Sequence, residues 1–204
     1  MHKHIVDIIS SLDTKEIAAE RKEVLVPLKE FVQTSLSTSG EVALLFICTH
    51  NSRRSHLAQV WAHVMAHFYG HHGVSTYSGG TEATAVFSQT LETLMTQGFA
   101  ATKLSEGSNP VWALRCDEHT APIICFSKAM DHAYNPTKGF GAIMTCDSAD
   151  EACPFVPGAS GRFPIRYIDP KSSDGTDRMV QTYHERSLEI AREMKFIFES
   201  DSLL

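Results

Sequence analysis

Residues 43–55, Ala-Leu-Leu-Phe-Ile-Cys-Thr-His-Asn-Ser-Arg-Arg-Ser, combine an apolar run with a cysteine and two arginines. The first five residues are apolar, which is typical of a central parallel strand covered on both faces. The run ends at Cys48, a short polar segment follows, and a helical pattern begins near Ser55. The segment therefore predicts a buried strand, a loop and the start of a helix.

The cysteine and the second arginine of this segment have the spacing Cys-x5-Arg, and a serine follows. A loop of that length can close around a tetrahedral oxyanion, with backbone N–H groups and a helix N-terminus directed at it. Arg54 would bind two oxygens through its planar guanidinium. The same field would lower the pKa of Cys48 and make it a nucleophilic thiolate, with Ser55 as a hydrogen-bond donor to the sulfur. The alternative is a buried strand-end cysteine beside a surface arginine. The residues predicted to bind the oxyanion are Thr49, His50, Asn51, Ser52, Arg53, Arg54 and Ser55.

Length and composition are those of one globular domain with additions. The chain has 204 residues, of which 43% are hydrophobic and 21% charged, and a formal net charge of −6. The negative charge argues against nucleic-acid binding. No apolar stretch approaches the roughly 20 residues that span a bilayer, and the N-terminus lacks a signal-peptide pattern. We therefore expect a cytoplasmic protein that does not bind a membrane.

The five cysteines, an odd number, do not suggest a structural disulfide framework in a cytoplasmic chain. None has the Cys-x2-Cys spacing of a structural zinc site. His63 and His67 have a spacing that can hold a metal, with His71 and His72 nearby, but a solvated helix face is the favoured interpretation. No metal is predicted.

Residues 1–40 are predicted to form a helical extension, and residues 41–204 the catalytic domain. Asp13 and Glu16 resemble a capping box at a helix start. Pro27 predicts a kink, or a second helix beginning near it, and the small polar residues 35–40 predict a linker. The extension is expected to pack on the edge of the domain, with a dimer or lid surface as the alternative.

The pattern of strands and helices after residue 40 predicts an α/β fold with a parallel sheet. Two apolar runs at 111–116 and 122–127 predict an inserted hairpin. The predicted strands of the sheet end at Cys48, Tyr77, Thr145 and Ile168, and the predicted helices span about 55–69, the region around 87–95, and about 177–198. The buried stripes predicted for these helices are Val60, Trp61, Val64, Met65 and Phe68, then Phe87, Leu91, Leu94 and Met95, then Tyr183, Ser187, Ile190, Met194 and Ile197.

Three reactive side chains follow strands of the predicted sheet, namely Cys48, Cys146 and Asp169. Ligands of open α/β sheets bind beyond the carboxyl ends of the strands, so these side chains are expected at one edge. Cys146 and Cys153 lie in a predicted polar loop and form either a redox-active disulfide after the loop rearranges or two unrelated thiols. Asp169, before Pro170, is either a general acid or a turn residue.

These motifs together resemble the low-molecular-weight protein tyrosine phosphatase superfamily, and more narrowly its thioredoxin-coupled arsenate reductases, over about residues 41–198. The loop from Cys48 to Ser55, with Asn51, resembles the anion loop of the family, and Asp169-Pro170 resembles its general acid. Cys146 and Cys153 resemble the resolving cysteines of the reductases. The resemblance implies a three-layer α/β/α fold with a four-stranded parallel sheet. His50 stands where the family has glycine.

The resemblance implies an arsenate reductase without a cofactor. Cys48 would attack arsenate held by the loop and Arg54, and Asp169 would assist the leaving hydroxide. Cys146 would then attack Cys48, and Cys153 would carry the disulfide to a thioredoxin-like reductant. One alternative is a phosphatase for phosphotyrosine or a small phosphomonoester, with a regulatory cysteine pair. Another is a non-catalytic oxyanion-binding or redox-sensing module. A homodimer through the N-terminal helices is an open alternative.

Overall fold

A computed structural model describes residues 1–199 as two sheets and six helices. The helices are α1 (Lys3–Ser11), α2 (Ala19–Ser39), α3 (Arg54–Phe68), α4 (Ser88–Thr96), α5 (Asp147–Ala152) and α6 (Met179–Phe198). The strands are β1 (Val42–Cys48), β2 (Val74–Gly80), β3 (Ala100–Lys103), β4 (Trp112–Arg115), β5 (Ile123–Cys125), β6 (Phe140–Met144) and β7 (Ala159–Phe163). None of the helices described is long and apolar enough to cross a membrane.

The larger sheet is the predicted four-stranded parallel sheet, with the strand order β2-β1-β6-β7. Strand β1 is central and buried along almost its whole length, as its apolar run predicts. Leu44 and Phe46 pack in one core with α2, α3 and α6, whereas Leu45 and Ile47 pack in a second core on the side of α5. Helices therefore cover both faces, and the three-layer α/β/α prediction is confirmed.

The last strand of this sheet was predicted at residues 164–168, and this prediction is wrong. The strand is β7, which ends at Phe163. Pro164 cannot donate to a ladder, so parallel pairing stops before it. Ile165 and Tyr167 are buried beyond the strand, which explains the apolar pattern, and Ile168 is 75% exposed. Tyr167 still donates its N–H to the Thr145 carbonyl at 3.1 Å, which keeps the segment beside the sheet.

The predicted hairpin insertion is confirmed and has one more strand than predicted. Strands β4 and β5 pair antiparallel, and β3 pairs antiparallel with the other edge of β4. The sequence of β3, Ala-Ala-Thr-Lys, is short and lacks apolar alternation, so no period-2 signal marks it.

The N-terminal helices differ from their prediction in three places. Asp13 caps a short 3₁₀ turn, Thr14–Glu16, rather than an α-helix. Helix α2 runs without interruption through Pro27. It also includes the predicted linker, because Ser37 and Ser39 donate to carbonyls one turn back and satisfy their own hydroxyls within the helix. Gly40, with φ of 75°, ends it in the left-handed conformation that favours glycine.

The extension packs on the domain as expected, because buried side chains of α1 and α2 belong to the same hydrophobic core as the sheet. The domain boundary at residue 40 and a dimer through these helices stay predictions. On the predicted buried stripes of α3 and α4, Phe68 is 39% exposed and Met95 is 43% exposed. Both lie in the last turn of their helices. The five buried positions predicted for α6 are confirmed.

Candidate active site

The loop between β1 and α3 is the centre of the candidate site. Cys48 is the last residue of β1 and Arg54 is the first of α3, so a strand end and a helix N-terminus meet at the five residues between them. Asn51 has a φ of 43° and is the one non-glycine residue with positive φ among residues 1–199. Asparagine tolerates this conformation. His50 needs no such tolerance, because its own φ is not positive.

The sulfur of Cys48 lies at the base of this loop and is almost completely buried. Its Sγ is 3.1 Å from Ser55 Oγ, as the sequence predicts. Asn51 Nδ2 donates to the same Ser55 oxygen at 2.8 Å. Because that oxygen accepts from the amide, its own hydrogen is available for the sulfur.

Other segments fix the carbonyl groups of the loop from outside. The His50 carbonyl accepts hydrogen bonds from Ser127 Oγ at 2.8 Å and Thr84 Oγ1 at 3.2 Å. The Ser52 carbonyl accepts from Thr90 Oγ1 at 3.3 Å. Carbonyl groups held outward leave the backbone N–H groups of the loop free to face an anion.

The end of β2 approaches the loop so closely that only glycine fits at Gly80. A Cβ there would lie 2.6 Å from the Thr49 carbonyl oxygen and 2.8 Å from the Asn51 nitrogen. Both are backbone atoms, which cannot move aside cheaply. Gly80, the last residue of β2, thus allows the close approach of this strand to the anion loop.

His56, in the first turn of α3, lies behind the loop and is fully buried. Its Nε2 is 3.0 Å from the Asn51 carbonyl oxygen, and its Nδ1 is 3.2 Å from Ser78 Oγ. Burial, and secondly the ammonium of Lys128, lower the pKa of His56 to about 3. The ring is therefore neutral at physiological pH and serves as a neutral brace for Asn51.

The two loop arginines have different surroundings. Arg54 donates to the Tyr167 carbonyl at 3.0 Å and to Asp169 Oδ2 at 2.5 Å, so it joins the loop to the predicted general acid. Arg53 donates to Asp174 Oδ2 at 2.6 Å and to Tyr183 OH at 2.6 Å. Both arginines therefore have a carboxylate partner. The partner of Arg54 is the predicted general acid, which lines the cavity, whereas the partner of Arg53 is not among the cavity-lining residues.

A cavity of about 200 Å³ opens above Cys48. It is lined by Cys48, Thr49, His50, Ser52, Arg53, Arg54, Ser148, Asp169 and Lys171. Its walls come from the loop, from α5 and from the segment after β7, which are the three regions that the sequence predicted to converge. His50 is one of the lining residues, and its Nδ1 lies 3.2 Å from Glu82 Oε1.

The two further cysteines of the predicted relay lie at opposite ends of α5, which replaces the predicted loop. Cys146 caps the helix, with Sγ accepting from Ala149 N at 3.4 Å. The same Sγ is 3.5 Å from Oγ1 of Thr49, the residue that follows the nucleophile in the chain. Cys153 follows the helix and shares a buried cluster with Cys48 and Cys146. All five cysteines are free thiols in this structure.

The histidines of α3 are less solvated than predicted. His63 and His67 are partly buried, and His67 Nε2 lies 3.1 Å from Asp117, in the turn of the inserted hairpin. His71 Nε2 is 2.9 Å from the Phe198 carbonyl oxygen. Among residues 1–199, no group of three or more His, Cys, Asp or Glu side chains is arranged to hold a metal ion.

No sequence motif identified the residues that support the loop from segments distant in the chain, above all Ser78, Ser127 and Lys128. The structure brings them together from β2 and from the segment after β5. A weak signal exists for Lys128, which interrupts an apolar stretch with a single charge. His56 had no signal beyond its place next to Ser55.

The sheet order, the strand–loop–helix at Cys48 and the flanking helices define the fold of the low-molecular-weight protein tyrosine phosphatases. Solved structures confirm the resemblance at this level. The phosphatase of this class from T. tengcongensis has a TM-score of 0.53 and 18% identity, covering 77% of this chain and 98% of its own. A mutant of YwlE from Bacillus subtilis has a TM-score of 0.51 and 14% identity, covering 76% and 95%.

A thioredoxin-dependent arsenate reductase from Corynebacterium glutamicum is also similar, with 18% identity, a TM-score of 0.44 and coverage of 96% of this chain and 82% of that chain. No protein-family model and no curated protein matches the sequence. The likeness is therefore one of fold, and the reaction has to be argued from the residues of the site.

Proposed function

We propose that this protein is an arsenate reductase that uses Cys48, Cys146 and Cys153 in sequence and an external dithiol as the reductant. The observation that carries the proposal is a second thiol that contacts the anion loop, with Cys146 Sγ 3.5 Å from the hydroxyl of Thr49 and in the same buried cluster as Cys48. Hydrolysis of a phosphate ester needs one thiol, whereas reduction of As(V) to As(III) consumes two electrons and needs two.

The first step uses the groups around the cavity. Arsenate binds to the loop N–H groups and the Arg54 guanidinium, and Cys48 attacks arsenic as hydroxide leaves with a proton from Asp169. Asp169 lines the cavity with its side chain 38% exposed, and its carboxyl is oriented by the hydrogen bond from Arg54. The product of this step is a Cys48–arsenic(V) adduct.

The second step releases arsenite. Cys146 attacks the sulfur of Cys48, the electron pair of the sulfur–arsenic bond passes to arsenic, and a Cys48–Cys146 disulfide remains. Cys153 then attacks Cys146 and frees Cys48, and a thioredoxin-like dithiol reduces the Cys146–Cys153 disulfide. Such a cycle belongs in a reducing cytoplasm, where the resting thiols persist.

The test is arsenate-dependent oxidation of reduced thioredoxin, followed through a coupled reductase. The wild type is expected to turn over. Cys146→Ser is expected to be inactive, because no second thiol remains, and Cys153→Ser is expected to stop after one turnover as a Cys48–Cys146 disulfide. Cys116→Ser is the matched control, since this buried cysteine lies in the inserted hairpin. Sustained turnover by Cys153→Ser would contradict the relay.

A phosphatase is the second candidate, favoured by Asp169, whose carboxyl lines the cavity and is positioned by Arg54. A general acid in that position suits a leaving alkoxide. Hydrolysis of an aryl phosphate that survives Cys146→Ser and is lost in Cys48→Ser, without arsenate-dependent thioredoxin oxidation, would favour this function. The cysteine pair would then protect Cys48 by a reversible disulfide.

A further inference from the structure

Lys128, which follows β5 in the inserted region, is a buried cation close to the anion loop. Its side chain is 1% exposed, and no carboxylate within residues 1–199 forms an ion pair with it. The ammonium donates to the Phe126 carbonyl at 3.3 Å and to Ser78 Oγ at 3.5 Å, and it lies 4.4 Å from the centre of the Phe126 ring. A buried charge with neutral partners is costly.

Burial lowers the pKa of Lys128 to about 8, so the side chain stays mostly charged at neutral pH. The nearest titratable groups are His56, which is neutral, and Cys125, whose pKa is raised to about 12 by burial and which therefore stays a thiol. A single positive charge is thus enclosed behind the loop without a compensating anion.

The side chain of Lys128 begins one series of hydrogen bonds toward the loop. An ammonium only donates, so Ser78 Oγ accepts from it and directs its own hydrogen to His56 Nδ1, 3.2 Å away. His56 Nδ1 is then an acceptor, and the ring proton is on Nε2, which donates to the Asn51 carbonyl at 3.0 Å. The Asn51 carbonyl can only accept and so requires the same Nε2 proton, which means that the lysine and this carbonyl favour one tautomer of the histidine.

The backbone of Lys128 begins a second series. Its N–H donates to Asn51 Oδ1 at 2.9 Å, which fixes the orientation of the amide. Asn51 Nδ2 therefore donates to Ser55 Oγ at 2.8 Å. The Ser55 hydrogen is left to donate to Cys48 Sγ at 3.1 Å. This second series reaches the sulfur and makes it an acceptor, whereas the first series ends at the Asn51 carbonyl and braces the same residue of the loop.

We propose that Lys128 is a positioning residue for Cys48, which fixes the direction of these hydrogen bonds and adds positive charge behind the loop. Ser55 is held as a donor to the sulfur, and Asn51 is held on both its carbonyl oxygens. The inference rests on the proposed function only in taking Cys48 as the nucleophile. It assigns a part in the site to the inserted region, which carries Lys128 on the segment that leaves β5.

The test measures alkylation of Cys48 by iodoacetamide from pH 5.5 to 9, with peptide mass spectrometry to isolate this cysteine and with no substrate present. Lys128→Met is expected to slow alkylation at pH 6.5 by about tenfold and to move the rise of the rate to higher pH. Lys29→Met is the matched control. Lys29 is also buried and lies 4.9 Å from the centre of the Phe196 ring, but on α2, and its substitution is expected to leave the rate within twofold.

The melting temperature of Lys128→Met distinguishes a positioning role of Lys128 from a merely structural one. Met fills a similar volume without a charge, so Lys128→Met is expected to unfold at the same or a higher temperature while Cys48 reacts more slowly. Inorganic phosphate is expected to protect Cys48 in this variant, which shows an intact loop. A parallel loss of melting temperature, phosphate protection and reactivity would overturn the proposal, as would a wild-type rate.

If Lys128→Met does not fold, Ser78→Ala decides, because it removes the acceptor through which the ammonium acts. This variant is expected to slow alkylation about threefold to fivefold at pH 6.5, and an unchanged rate overturns the proposal. The alkylation experiment needs no turnover. Absence of arsenate reduction in the wild type would contradict the proposed function and leave the Lys128 result standing. Arsenate reduction by the wild type, together with an unchanged alkylation rate in Lys128→Met, would contradict the Lys128 proposal and leave the proposed function standing.

Discussion

The anion loop at Cys48–Ser55 and helix α5 face the same cavity but are held by different kinds of interaction. The loop is held by buried hydrogen bonds from β2, from α4 and from the segment after β5. Helix α5 is held through Asp150, which forms ion pairs with Arg162 and Arg166, and Arg162 also donates to the Cys153 carbonyl at 3.0 Å. The arginines are partly exposed.

The difference fits the two tasks that the proposed reaction sets. Buried hydrogen bonds keep the loop in one geometry, whereas ion pairs whose arginines are partly exposed are weakened by salt. Cys146 and Cys153 flank a six-residue helix and so lie about 10 Å apart along its axis. A disulfide requires Cα atoms within about 7 Å. Helix α5 must therefore unwind before these two sulfurs can bond, while the loop must not move.

The largest expected effect concerns the anion loop, which buried hydrogen bonds hold in one geometry. Arg54→Lys is expected to lower kcat/KM for the accepted substrate by about 10²–10³, because a lysine cannot bind two oxygens and the Tyr167 carbonyl in one plane. Arg53→Lys is expected to lower it by less than about tenfold, since the charge of Arg53 faces Asp174. Steady-state kinetics of both variants and the wild type measure these changes in kcat/KM.

The control for this pair is the melting temperature, which Arg53→Lys is expected to lower more than Arg54→Lys. Arg53 stacks 4.1 Å from the centre of the Phe87 ring and bonds to Tyr183 of α6, so it also joins the loop to two helices. Equal losses of kcat/KM in the two variants would remove the distinction between a substrate-binding and a structural arginine.

The sequence was sufficient for the parts of the molecule that depend on local pattern. The apolar run before Cys48 and the Cys-x5-Arg spacing predicted β1, the loop and α3, because burial on both faces leaves a continuous apolar strand. Cys146 was placed at the right edge of the sheet by the rule that strand ends meet there, whereas Asp169 lies at that edge although the strand predicted before it is wrong. The apolar period also predicted the inward face of α6.

Other features depend on contacts that no local pattern encodes. Strand β7 was displaced in the prediction because Ile165 and Tyr167 are buried outside the ladder. Helix α5 was predicted to be a loop, because six residues with three carboxylates show no amphipathic period. The arginines that pair with Asp150 follow the helix in the chain, so no local pattern indicates them. Lys128 meets Asn51 only after the inserted hairpin folds back onto the loop.

The next expected effect concerns the neutral histidine behind the loop. The folded pKa of His56, about 3, lies below its unfolded value of about 6.5. The unfolded state therefore binds more protons between these values, so the free energy of unfolding falls as the pH falls through this window. The loss is expected to be about 3 kcal/mol between pH 6.5 and 4.

Urea titrations at several pH values measure this slope. His56→Gln has no imidazole to protonate on unfolding and is expected to show a flatter dependence in the same window. His4→Gln, at an exposed position on α1, is the matched control and is expected to keep the slope of the wild type. An unchanged slope in His56→Gln would show that other groups determine the acid stability of the loop.

The smallest expected effect concerns helix α5, which has to unwind before Cys146 and Cys153 can form a disulfide. Asp150→Asn removes the charge that both arginines contact, so α5 is expected to unwind more readily. In a Cys48→Ser background, the Cys146–Cys153 disulfide is then expected to form about fivefold faster with diamide, measured by mass spectrometry after alkylation of the remaining thiols.

Asp147→Asn is the matched control, since Asp147 is exposed and contacts Arg166 alone, and its rate is expected to stay within twofold. Added salt sharpens the test, because 0.5 M NaCl screens ion pairs and should accelerate the parent protein more than Asp150→Asn. Equal rates with and without Asp150, at low and at high salt, would mean that the arginines do not restrain α5 and that both sides of the cavity are held alike.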